Sequence, residues 1–174
     1  DNQIRYVKIL DKTIAGTDVN TANITEGMFL RGQTANLVSR VSQSASGLES
    51  QNPDLNTIFF NYIKSDNTTT DYANGEILEV YAATTSIANI QVTAIGDNYN
   101  NTDTVSISST NGGNATATVN TYSNGSVESI TVTANGTGFT ADDYPTASVS
   151  GNSTADGATL RVNLNEEMRV TVGN

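Results

Sequence analysis

The chain has 174 residues with no cysteine, histidine or tryptophan, and its 8 Lys and Arg face 18 Asp and Glu, a formal net charge of −10. That inventory excludes disulfides, a cysteine nucleophile, a Cys or His zinc site and a histidine general base, and its charge repels nucleic acid and anionic membranes. Hydrophobic residues are 36% and aromatic ones 6%, so the core is thin; Thr, Val and Ile favour pleated surfaces, and the abundant Asn, Gly and Ser supply turns.

The pattern is all-β. Residues 4–10 open with a strand, and a polar stretch follows over 11–23. Residues 27–34 read as a strand ending in a turn, with 35–41 as its return; Val, Ser and Asn disfavour a short helix over 37–42. Residues 42–56, rich in Ser, Gly and Asn and holding Pro53, form a loop. The run from Thr57 to Lys64 is the clearest strand of the first half. With an acidic tip over 65–75 and a strand over 76–82, it predicts a hairpin. The boundary falls at 84–86, giving an N-terminal β domain over 1–86.

The second half, 87–174, is a tandem repeat with units at 87–126 and 127–174, as a small sandwich or as stacked β units. Ile87, Ile90, Val92, Gly96 and Tyr99 recur 40 residues on as Val127, Ile130, Val132, Gly136 and Phe139. In each copy, apolar residues two apart share one sheet face. The Gly permits a sharp reversal, and the aromatic that follows plugs the sheet end. Residues 166–172 form a last strand, which either closes the second unit or leads into a following domain. A thin core with exposed edges predicts association, as a homotrimer or by packing along a fibre.

No apolar run reaches the roughly 18 residues of a membrane helix, so no membrane insertion is expected. Between Ser65 and Leu160 there is no Lys or Arg, and this acidic surface predicts no nucleic-acid partner. The opening at Asp1 rather than Met leads us to expect a processed subunit or a piece of a longer polypeptide.

No enzymatic constellation stands out. The paired carboxylates, Asp142 with Asp143 and Glu166 with Glu167, lack the aromatic platforms a glycosidase uses, and no enzyme is expected. Calcium is the one cofactor with candidate ligands: Asp97 and Asp103 in the first copy, Asp142 and Asp143 at the equivalent place in the second. Their spacing does not match the EF-hand loop, and a solvated turn is the competing reading, so we expect no cofactor. Tyr72, Tyr99, Tyr122 and Tyr144 are candidate sugar platforms, against the simpler reading that they plug sheet ends.

Ile130, Val132, Gly136, Gly138, Phe139, Tyr144, Pro145, Val149, Gly157, Ala158 and Val162 together resemble a module common in large structural proteins of tailed bacteriophages. The first copy departs from it: Asp97 and Asn98 stand where the second has Thr137 and Gly138, no proline corresponds to Pro145, and Gly113 is one residue out of step. In the first half, Gly27, Gly32, Thr34, Phe59, Tyr62, Gly75, Glu76 and Leu78 resemble a segment of phage tail-fibre and baseplate-associated proteins. The resemblance implies a non-enzymatic virion component of a tail fibre, baseplate or neck, usually multimeric. It implies partners that are copies of itself and other virion structural proteins, and no catalytic residues. Two alternatives remain: a secreted prokaryotic surface filament or adhesin subunit built by strand donation, and a calcium-dependent glycan-binding module.

Overall fold

The computed structural model describes residues 5–9, 13–14, 17–18, 24–34, 37–43, 57–64, 71–151 and 154–173. The protein is all-β. In chain order the strands are β1 (Arg5–Ile9), β2 (Thr13–Ile14), β3 (Thr17–Asp18), β4 (Phe29–Gly32), β5 (Val38–Gln43), β6 (Thr57–Lys64) and β7 (Ile77–Tyr81). There follow β8 (Ile87–Asp97), β9 (Thr104–Ser108), β10 (Gly113–Thr121), β11 (Val127–Thr137), β12 (Thr146–Ser150), β13 (Asp156–Leu164) and β14 (Met168–Gly173).

Six of these strands close a barrel in the order β1-β14-β7-β4-β5-β6, with β6 pairing back onto β1. Alternation along each strand fills its interior: Val7 and Ile9 from β1, Ile58 and Phe60 from β6, Leu78 and Val80 from β7, and Val170 and Val172 from β14. Leu30, Val41, Ile24 and Leu37 complete the core. Closure leaves no edge strand in the barrel for unwanted pairing. The expected 27–41 hairpin is present as β4 and β5, with Phe29 opposite Arg40 and Leu30 opposite Ser39.

The other expected hairpin does not form. β6 pairs with β1 and β5, whereas β7 pairs with β4 and β14, so the two strands are not neighbours. A long connection places no restriction on which strands pair, unlike a two-residue turn. Tyr72, from that connection, enters the core instead. Its hydroxyl sits 2.7 Å from Ser39 Oγ and donates to Leu30 O at 3.2 Å.

The last strand also has a different home from the one its position suggests. The chain divides into a unit of residues 1–83 with 166–174 and a unit of 84–165, rather than at 86. β14 belongs to the barrel because Val170 and Val172 pair opposite Leu78 and Ile9 respectively, and both are buried there. The repeated region is thus inserted in sequence between two barrel strands.

Within that second unit the two copies interlock. The first strand of each copy pairs with the third strand of the other: β8 with β13, and β11 with β10. The middle strands, β9 and β12, pair with each other, with Ser106 opposite Ser148. β10, β11, β9 and β12 form one sheet and β8 with β13 a second, and β8 also packs against β11. Even the irregularities match: bulges fall between Thr116 and Ala117 in one ladder and between Thr159 and Leu160 in the other. Neither copy is complete without its twin.

The turns that end β8 and β11 explain the repeated glycine and ring. Gly96 and Gly136 have φ of +55° and +64°. A Cβ on Gly136 would lie 2.5 Å from Gly113 O, and one on Gly96 would strike Ala158 N, so only glycine admits the third strand of the facing copy. Tyr99 and Phe139 then seal each end, 6% and 1% exposed. Their backbones are pinned equivalently, Tyr99 N donating to Gly125 O at 2.8 Å and Phe139 N to Thr85 O at 3.1 Å.

Two of the three departures of the first copy, at Asn98 and beside Gly113, are conservative in backbone terms. Asn98 has φ +64° where Gly138 has +81°, and Asn114 has φ +62° where Gly157 has +83°. Asn is the residue besides Gly that visits the left-handed region most readily.

Phe139→Ala is expected to lower stability by about 3–5 kcal/mol, as for other buried rings, and Tyr99→Phe by only about 1 kcal/mol through loss of the bond from Ala158 N. Denaturant unfolding of each variant checks the order. A fragment spanning 84–165 should melt cooperatively by itself, whereas deletion of 166–174 should abolish the barrel transition. Calorimetry of the two truncations tests this.

Candidate functional site

The four acidic candidates do not converge. Asp97 ends β8 opposite Asp156 and is exposed. Asp103 folds onto its own turn, its Oδ2 accepting from Asn100 N at 2.9 Å while Asp103 N donates to Asn100 O at 2.9 Å. Asp143 binds the loop after β9: it accepts from Thr110 N at 2.6 Å, Ser109 Oγ at 3.0 Å, Asn111 N at 3.1 Å and Thr110 Oγ1 at 3.2 Å. Asp142 Oδ1 is buried and has no hydrogen-bond partner among the described residues. Among the described residues no group of three or more acidic side chains comes together. Asp103 and Asp143 do occupy equivalent places, since Asp103 lies against Gly151 as Asp143 lies on Ser109.

Burial pushes the Asp143 carboxyl pKa upward, but the bonds from Thr110 N, Ser109, Asn111 N and Thr110 Oγ1 outweigh it and hold the group below its ordinary 3.8. Its charged form is therefore the one that ties the loop.

Three of the four tyrosines are committed to structure. Tyr72 is in the barrel core, Tyr99 OH accepts from Ala158 N at 3.3 Å, and Tyr144 OH accepts from Leu164 N at 3.1 Å. Tyr122, 50% exposed, plugs nothing. The paired glutamates divide: Glu166 grips Arg169 at 2.5 and 2.6 Å, and Glu167 is exposed.

The barrel carries polar groupings that the sequence did not disclose. Glu79, 7% exposed, lies opposite Arg31 on β4 and Arg169 on β14, each guanidinium 3.9 Å from its carboxylate. Tyr81 OH and Gln33 Nε2 also donate to it, at 2.7 and 3.0 Å. A buried carboxylate between two arginines links three strands. Near the start of β1, Arg5 pairs with Asp71 at 2.9 Å and lies 4.9 Å over the Tyr62 ring, whose hydroxyl donates to Asp71. Burial, then the Asp71 charge and hydrogen bond, push the Tyr62 phenol up to about 12.

A cleft of ≈ 740 Å³ opens beside the β5–β6 ladder, lined by Glu26, Gly27, Arg40, Val41, Ser42, Asn61, Tyr62 and Ile63. The ladder is irregular at two places there: Ser42 is extra on β5, between the Val41–Phe60 and Gln43–Phe59 pairs, and Ile63 is extra on β6. Among the described residues, Ser42 Oγ and Asn61 Oδ1 are buried and find no hydrogen-bond partner. The signals for this cleft are tertiary; none of its residues forms a sequence motif.

No family model matches the chain, and neither a curated protein nor a solved structure matches it.

Asp143 contributes stability that is present above the unfolded-state carboxylate pKa and lost as pH falls through the lower folded-state value. Asp143→Asn is expected to melt lower than the parent near neutral pH and to lose less on acidification to about pH 2.5. Melting curves at the two pH values read the difference.

Proposed function

We propose that this chain is a non-enzymatic structural component of a tailed-phage virion appendage, a part of a tail fibre, baseplate or neck that serves assembly and attachment. The interlocked pair of repeats carries the reading. The residues that resemble the phage module, Gly136, Gly138 and Phe139 with Gly157 and Ala158, are those that build the plugged turn and the facing strand. The degenerate copy keeps the same backbone with asparagines at its left-handed positions. What such a unit supplies is a fixed shape, with its polar groups spent on the backbone rather than aimed at a substrate.

The distribution of charge supports the same role. Residues 84–165 hold one cation, Arg161, against six acids, a net of −5 by count. Such a surface resists nonspecific clumping outside the cell, and its partners are copies of itself and other virion proteins. A strand-donating filament subunit needs a sheet that lacks a strand, and the closed barrel supports that alternative less. The engagement of Asp103 and Asp143 with backbone amides likewise lends little to a calcium-dependent lectin.

Antibody raised against the chain should label an appendage on purified tailed particles by immunogold electron microscopy. Label confined to cell-surface filaments, with the chain missing from particles by mass spectrometry, would remove the proposal.

A further inference from the structure

We infer that the outer face of the β8–β13 ladder is an isologous interface through which two copies of the chain pair. The two repeats supply the control. Their ladders, β8–β13 and β11–β10, share register and bulge, so a residue that the fold itself requires recurs at the equivalent place. Here they differ: Ile95, Asp97 and Arg161 stand where the twin ladder has Asn135, Thr137 and Thr118, and Asp156 stands where it has Gly113. Asn135 serves the fold, its Nδ2 donating to Ile87 O at 2.6 Å, whereas Ile95 is 55% exposed. Asp97, Asp156 and Arg161 are exposed as well, and Arg161 is the only cation of residues 84–165.

One exposed apolar side chain is ordinary. The charge around this one is not. Asp97 lies directly opposite Asp156, a like-charge pair that costs stability where the twin has a neutral one. Arg161 is in register with Gln91, so along β8 it stands about 20 Å from Asp97, too far for the two to meet within one copy. Between them lie Ile95 and Thr93, and Thr93 Oγ1 meets Thr159 Oγ1 at 2.6 Å, which joins the two strands into one outer face. A twofold axis passing near Thr93 and Ile95 sets Arg161 of each copy on the Asp97–Asp156 end of the other. The Ile95 side chains then meet near the axis, an apolar centre between two charged flanks. This contact deepens the appendage reading and rests on it only in taking copies of the chain as partners; a dimer in solution and a label on particles can each fail alone.

The test is sedimentation velocity on the full chain, up to about 1 mM, in low and in high salt. A two-stranded face makes a small interface, so the dimer is weak, forms within that concentration range and loosens as salt rises. Ile95→Asn, which installs the residue of the twin ladder, should weaken dimerisation by about tenfold or more without lowering the melting temperature. Arg161→Glu and Asp97→Lys should each sediment as a monomer. Their equimolar mixture should dimerise as the parent does, because a mixed interface holds one native charge pair and one exchanged pair. Ile95→Asn keeps the test open should a charge variant fail to fold. Three results would overturn the inference: the parent stays monomeric throughout; Ile95→Asn dimerises as the parent does; or the mixture stays as monomeric as its two components.

Discussion

The second unit depends on one steric fact: where β8 and β11 end, the backbone of the facing copy's third strand lies where a Cβ would stand. Glycine at 96 and 136 therefore fixes both a turn and a strand crossing. The ring that follows covers the junction, and burying it contributes roughly 1.5–3 kcal/mol. Because the crossing is reciprocal, each copy supplies the floor against which the other turns. That is how a segment with few large side chains reaches a defined structure: pairing partners come from far along the chain, and each plugged end fixes two ladders together.

The barrel solves a related problem by other means. Its circle is completed by β14, which begins at Met168 whereas β7 ends at Tyr81. An interior of Val, Ile and Leu gains little from any single contact, so closure matters: every strand is paired on both sides, and the alternating inward residues share one interior. Polar groups are admitted where each is answered. Tyr72 finds Ser39 and Leu30 O, and Glu79 finds two arginines, a tyrosine and a glutamine. A buried pair of this kind adds little net stability over a well-packed apolar one, but it penalises any slip in register, since a slip would strand the carboxylate.

The repeat was legible because its rules are local. Two apolar residues on one face, a glycine and an aromatic predict a strand, a reversal and a plug, and all three occur at Ile90, Gly96 and Tyr99. Asn98 and Asn114 look like decay of the pattern in sequence, but their positive φ preserves it. What could not be read is who pairs with whom. Nothing in Thr57–Lys64 distinguishes a hairpin with β7 from pairing with β1, and nothing in Met168–Gly173 names the barrel rather than the repeat. Alternation fixes which face of a strand is apolar and is silent about its neighbour.

The same limit explains why the acidic turns stand out in the sequence and the bulged ladder does not. Asp103 and Asp143 recur because the turn recurs; a carboxylate that accepts backbone N–H groups at a sharp loop is as repeatable as the loop itself. Ser42 and Asn61, by contrast, lie on different strands, carry common residue types and occur once. What sets them apart is that, among the described residues, each holds a buried atom without a partner, a property of the packed ladder rather than of either segment.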